Sequence, residues 1–170
     1  MNNLLKLITK SGLILFIFSY LNAAIINEIK IEGNKRVSDE TIKVYGEIKL
    51  NDNVDDNKIN KILNNLYSTG FFEDIKVNQA NGILSITVKE YPIVNQLIIK
   101  GEDSSRIKEE IKKQISTKAK RSFNKSSISN DINLIKKLYS SIGYNFANID
   151  IKTKELDSSN VDILIDIDRG

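Results

Sequence analysis

The 170-residue chain contains no cysteine, no histidine and no tryptophan, and only one proline. Each absence removes a chemistry. Without cysteine there is no disulfide, thiol nucleophile or redox dithiol, and without cysteine or histidine there is no Cys/His zinc site. The missing imidazole also removes the commonest general base and any Ser-His-Asp triad. A chain with no disulfide must be held together by packing alone. What is plentiful is isoleucine, 29 residues, and asparagine, 20 residues; the isoleucine excess raises strand propensity along the whole length. Apolar residues make up 41% and charged residues 28%, the balance of a globular chain rather than a disordered or polytopic one. The length allows one ordinary domain or two small ones.

The first residues differ from the rest. Lys6 and Lys10 precede a nearly unbroken apolar run from Leu13 to Leu21, followed by Asn22, Ala23 and Ala24. A basic start, a short apolar centre and small residues at the end predict a signal peptide over residues 1–23, cut after Ala23. An uncleaved anchor is the competing reading, but the run between Lys10 and Asn22 falls short of the roughly 20 residues that a spanning helix needs. Export is therefore expected. The segment holds two lysines and no acid, so the formal charge of +3 falls to +1 without it.

Beyond the leader the chain repeats itself. Ile25 to Gly33 matches Ile93 to Gly101, with four of nine positions identical and three more similar. Leu66-Tyr67-Ser68-Thr69-Gly70 is echoed by Leu138-Tyr139-Ser140-Ser141-Ile142-Gly143, one residue longer. Pro92 follows Tyr91 where the first copy ends, and the residue before a proline is pushed toward extended backbone. Units over 24–91 and 92–170 are expected, joined at Pro92.

Periodicity assigns the elements. In the first unit Ile29 and Ile31 alternate on a strand that ends at Gly33. Ser38 stands at an N-cap with Asp39 and Glu40 in the first turn, where carboxylates favour the positive end of the helix dipole. Ile42, Tyr45 and Ile48 form the apolar face of this short helix. Ile59, Ile62, Leu63, Leu66 and Tyr67 fall at helical spacing after Asp55-Asp56, with Gly70 as the C-cap. Ile75 and Val77, the Asn81-Gly82 turn, and Leu84, Ile86 and Val88 then form a hairpin. The second unit repeats the plan: a strand with Leu97 and Ile99 ending at Gly101, and a helix carrying Ile107, Ile111 and Ile115. A longer helix carries Ile128, Ile132, Ile135, Tyr139 and Ile142 before Gly143. A hairpin turning at Asp157 to Asn160 completes it. Each unit is strand, helix, helix, strand, strand. The expected fold is α+β, two tandem βααββ units, each a three-stranded mixed sheet covered by two helices.

These residues carry a resemblance. Glu32-Gly33-Asn34-Lys35-Arg36-Val37, then Tyr67-Ser68-Thr69-Gly70-Phe71-Phe72-Glu73-Asp74-Ile75, then Val88-Lys89-Glu90-Tyr91-Pro92, resembles the first POTRA domain of the BamA family of outer-membrane protein assembly factors. The second copy is similar to the next POTRA domain through Tyr139, Gly143-Tyr144 and Asp166-Ile167-Asp168-Arg169-Gly170. The likeness covers Ala24 to Gly170. It implies a periplasmic scaffold that receives unfolded outer-membrane proteins and accessory assembly subunits on behalf of a membrane β-barrel. Family members continue into further repeats and the barrel itself, so barrel insertion is not carried over to this chain. The alternative is a structural adaptor of the cell-division or two-partner secretion type, binding one fixed partner.

The resemblance also implies that the first hairpin strand lies at a sheet edge, where an extended client can add a strand through its backbone. The candidate partner-binding residues are Glu73, Ile75, Lys76, Val77 and Asn78 in the first unit and Asn148, Asp150, Ile151 and Lys152 in the second. Lys76, Asn78, Asp150 and Lys152 face solvent by alternation; the plainer reading is that such charges only blunt an edge against aggregation. Gly33, Gly70, Gly82, Gly101, Gly143 and Pro92 are structural. A basic run, Lys108, Lys112, Lys113, Lys118, Lys120, Arg121 and Lys125, makes the second unit basic (14 basic, 11 acidic residues) while the first is acidic (9 basic, 11 acidic). It reads as a solvated helix face, with anionic lipid headgroups as the sharper alternative and nucleic acid excluded by export and by the scarcity of aromatics. Asp55-Asp56, Glu73-Asp74 and Glu109-Glu110 are adjacent pairs that do not converge on one atom, and Asn51 to Asp55 lacks the glycine and closing glutamate of a calcium loop. No catalytic residue, cofactor, metal or small-molecule substrate is expected.

Overall fold

The computed structural model describes residues 24–170, so the expected signal peptide lies outside the described residues. The first unit forms β1 (Ala24–Ile25), β2 (Glu28–Glu32), α1 (Asp39–Gly46), β3 (Asn53–Val54), α2 (Asp56–Ser68), β4 (Phe72–Ala80) and β5 (Ile83–Glu90). The second forms β6 (Ile93–Lys100), α3 (Ser105–Gln114), a 3-10 turn (Lys125–Ser127), α4 (Ile128–Ser141), β7 (Asn148–Glu155) and β8 (Asn160–Asp168). Helix starts follow from short polar side chains that satisfy otherwise unpaired amides. Ser38 Oγ accepts from the Thr41 N–H at 3.2 Å, Asp55 Oδ1 from the Lys58 N–H at 2.8 Å, and Ser104 Oγ from the Ile107 N–H at 3.4 Å.

Each sheet is built around the last strand of its unit. β5 runs parallel to β2, with Ile29 opposite Leu84 and Ile31 opposite Ile86, and antiparallel to β4, with Ile75 opposite Val88. β8 repeats this between β6 and β7, giving the orders β2-β5-β4 and β6-β8-β7. Because successive strand residues point to opposite faces, the central strands bury Leu84, Ile86 and Val88 in one unit and Val161, Ile163, Ile165 and Ile167 in the other. The helices add Ile42, Ile62 and Leu66 to the first core, and Ile111, Ile135 and Tyr139 to the second. At roughly 1.5–3 kcal/mol for each large apolar side chain buried, each unit closes its own core.

Three departures from the periodicity reading have local causes. β1 and β3 form a two-stranded ribbon that no alternation announces: Ala24 pairs with Val54, and the following Ile26 is buried with its N–H on the Asp52 carbonyl at 3.0 Å. Ile48 is buried, but past the end of α1, because Glu47 takes a left-handed conformation (φ 52°) and turns the chain; Tyr45 stays half exposed, edge-on to Phe71. Ile142 lies just beyond α4 and is exposed.

Gly33 and Gly101 end the first strand of each unit with φ of +87° and +79°. A Cβ at Gly33 would overlap the Val88 carbonyl oxygen, and one at Gly101 the Ile167 carbonyl oxygen. Both glycines thus let the chain leave the sheet against the backbone of the central strand. Asn81 and Gly82, both at positive φ, form the tight β4–β5 turn; Gly70 and Gly143 follow α2 and α4, and Pro92 stands between β5 and β6.

Candidate functional site

β4 and β7 are terminal strands in their sheets, and among the described residues no strand pairs with their outer sides. On β4, Ile75 is buried and Val77 half-buried, whereas Glu73, Lys76 and Asn78 are exposed. On β7, Asn148, Asp150 and Lys152 are exposed, and Ile151 packs against the second core. Each candidate segment therefore presents polar side chains to solvent while its apolar neighbours fasten it to the sheet.

The two edges are not equally open. A register shift between Phe72 and Asp74 leaves Glu73 without a ladder partner, and its carboxylate binds Lys89 Nζ at 2.7 Å, a contact that raises the Lys89 pKa. Two residues on, the Ile75 N–H donates to the Tyr67 hydroxyl of α2 at 3.2 Å. That bond shows the Ile75 amide pointing away from β5, and alternation turns the Val77 and Gln79 amides the same way. The β4 edge is thus capped at Ile75 by a half-exposed phenol and open from Val77 onward. On β7 the main side-chain clasp is Lys152, 3.4 Å from Asp150 and 3.5 Å from Asp166. The opposite margin of the second sheet is partly closed: Val94 of β6 donates its N–H to Arg121 and accepts from the Lys120 N–H.

The basic run does not form one patch. Lys112 and Lys113 pair with Glu109 and Glu110 along α3; Lys118 donates to the Lys112 and Lys113 carbonyls at the C-terminus of that helix; Lys120 reaches Asn95. Among the described residues, Lys108, Arg121 and Lys125 form no ion pair. The carboxylate pairs are likewise separated, Asp55 capping α2 and Glu73 bound to Lys89, and no group of three metal-ligating side chains occurs among the described residues.

Three buried carboxylates hold the frame behind the edges, and periodicity marks none of them. Glu90 Oε1 accepts from the Lys35, Arg36 and Val37 amides at 2.8, 3.0 and 3.0 Å, while Arg36 Nε lies 2.9 Å from Oε2. Burial alone would raise this carboxyl, but the three amides and the guanidinium outweigh it and hold the pKa below the usual range. Glu102 receives the Ser104 amide, the Tyr139 hydroxyl and Arg169, which again outweigh desolvation. Tyr139 is correspondingly pushed up, by burial and by its bond to Glu102. Asp131 on α4 takes the amides and hydroxyls of Ser116 and Thr117 at 2.6–3.0 Å, and these too overcome its burial. The only sequence signal for these roles is the placing of Glu90 and Arg169 two residues beyond Val88 and Ile167.

Two βααββ units in tandem, each with a terminal hairpin strand at the same place in its sheet, make a repeat built on one plan. The chain belongs to the POTRA family: the family model described as "POTRA: Surface antigen variable number repeat" matches residues 24–91 and again 92–170. It is 33% identical over 150 residues to the outer membrane protein assembly factor BamA of Neisseria meningitidis serogroup B, a match covering 85% of this chain and 18% of that protein. BamA of Neorickettsia risticii is 25% identical over 154 residues, covering 91% of this chain and 21% of the relative. The chain therefore spans about a fifth of the length of these curated relatives. Among solved structures, the N-terminal domain of Omp85 from Thermosynechococcus elongatus superposes with a TM-score of 0.54 at 16% identity, over 86% of this chain and 63% of that one, a likeness of fold.

Proposed function

We propose that this chain is a periplasmic POTRA scaffold of an outer-membrane β-barrel assembly machinery, receiving unfolded outer-membrane proteins and accessory subunits by strand addition, without catalysis. The observation that carries the reading is the pair of terminal strands, β4 and β7, at the same place in both sheets, each with an outer edge that no strand pairs among the described residues. Backbone pairing suits a receiver of many clients, because the client's amides and carbonyls supply the bonds whatever its side chains are. The similarity to assembly factors named BamA supports the same setting. Among the described residues no helix is long and apolar enough to cross a membrane. Export through a signal peptide over residues 1–23 belongs to this reading, and intact mass of the exported protein tests it: a species beginning at Met1 contradicts cleavage. Anionic headgroups near Lys108 to Lys125 are a lesser part of the proposal, since four of the seven cations are engaged within the chain.

NMR titration with peptides derived from barrel strands tests the central claim. Amide shifts confined to Glu73 to Gln79 and Asn148 to Thr153, produced weakly by many alternating apolar/polar peptides, are expected. Shifts elsewhere only, or none, overturn edge pairing; response to a single partner and indifference to all scrambled strands supports a fixed-partner adaptor instead.

A further inference from the structure

We propose that β4 and β7 form one track for a single extended polypeptide, which passes between the units through a cleft at the joint and seats a large apolar side chain there. This rests on the strand-addition reading above. The cleft, about 360 Å³, is lined by Glu73 near the start of β4 and by Thr153 and Glu155 at the end of β7, so the outer edges of both strands lead to it, that of β4 past Ile75, where the occupant's backbone replaces the Tyr67 hydroxyl. Their directions match. β7 runs toward the cleft and β4 runs away from it. A chain antiparallel to β4 arrives from the Ala80 end, crosses, and continues antiparallel to β7 from Glu155 to Asn148 with no reversal of its own polarity. Had either strand run the other way, one client could be antiparallel to only one of them.

The floor of the cleft suits what a crossing segment would carry. Tyr91 and Pro92 supply partly exposed apolar surface, with Phe123 and Val161 of the second core beneath them, and the volume holds one aromatic or large aliphatic side chain. Glu73, Glu90, Glu155 and Asp157 stand around it against Lys89 and Lys125. Glu90 is matched by Arg36 and Glu73 by Lys89, while Lys35, whose Nζ donates to Ser158 Oγ on the lining at 2.9 Å, and Lys125 stand against Glu155 and Asp157, so the rim is close to charge balance. With nine residues in β4 and eight in β7, an occupant filling both edges is about 20 residues long, including the crossing.

The probe is a synthetic 20-residue peptide of alternating apolar and polar residues with a central Phe, compared with its two ten-residue halves by fluorescence anisotropy and amide shifts. The long peptide is expected to bind at least about tenfold more tightly than either half, because the second contact becomes intramolecular, and to perturb both edges at one-to-one stoichiometry. Replacing the central Phe by Ser is expected to reduce affinity about tenfold or more. If the halves perturb β4 and β7 but the long peptide is no tighter, or binds two to one, the single track is overturned while strand addition stands. An unchanged affinity after Phe→Ser overturns the anchoring cleft. If neither edge responds to any peptide, strand addition itself fails, and the inference with it.

Discussion

Gly33 and Gly101 occupy corresponding places and answer to the same constraint, a positive φ combined with a carbonyl oxygen where a side chain would start. Gly70 has a positive φ but nothing within 4 Å of an added Cβ. The two cases separate conformational strain from overlap. Gly70→Ala is expected to cost about 1 kcal/mol for the left-handed conformation alone, whereas Gly33→Ala and Gly101→Ala add displacement of the central strand, for a total of about 3 kcal/mol. Urea denaturation of the three variants checks the ranking; equal losses at Gly70 and Gly33 contradict it. Tyr67 makes a second prediction at this scale. Its hydroxyl occupies the Ile75 amide, so Tyr67→Phe is expected to leave the core intact, speed exchange of the Ile75 amide, and raise peptide affinity at β4 without altering β7. A slower or unchanged Ile75 exchange rate contradicts the capping role.

For whole elements, alternation also says which backbone positions matter. In an edge strand, proline is tolerated where the amide faces outward and disrupts the ladder where it faces inward. Val77→Pro is expected to keep the first unit folded while removing an outward donor and weakening client pairing. Lys76→Pro, one residue away, removes an inward amide and leaves its ladder carbonyl without a donor, and is expected to cost about 1–3 kcal/mol. Circular dichroism melts with peptide titration check the pair, and equal destabilisation by both contradicts the orientation inferred from Ile75. Elements of this kind are the ones that sequence displays well, because a two-residue or 3.6-residue period is a property of consecutive residues. The strands of both hairpins, the capped helix start at Ser38 and the mixed three-stranded sheets all follow from such patterns. β1 and β3 escape because two-residue strands have no period. The Tyr67 cap and the cleft at Pro92 escape because they join residues whose proximity exists only after the sheets and helices have packed.

Across the whole molecule the two units close the same gap with opposite chemistry. In the first, Arg36 beyond β2 meets Glu90 at the end of β5; in the second, Glu102 beyond β6 meets Arg169 beyond β8. The consequence is unequal tolerance of pH. In the first unit the low-pKa acid with a nearly buried side chain is Glu90, while the second unit buries both Glu102 and Asp131. A carboxylate whose folded pKa is depressed binds a proton more readily when unfolded. Its stabilisation is therefore complete above the ordinary carboxylate range, about pH 5 and higher, and is lost as pH falls through that range toward the folded value. Two such groups make the second unit the more acid-sensitive. Tyr139 sets the alkaline side: its pKa is raised in the folded state, so its contribution is intact below about pH 10, where the unfolded phenol ionises, and declines as pH rises further. Hydrogen exchange or NMR-monitored urea unfolding, read separately for the two cores, is expected to show the second unit losing stability first on both sides of neutrality. Asp131→Asn should narrow the acid difference by flattening the second unit's dependence below pH 5. If the first unit unfolds first in acid, or Asp131→Asn leaves the slope unchanged, the buried carboxylates are not what limits the fold.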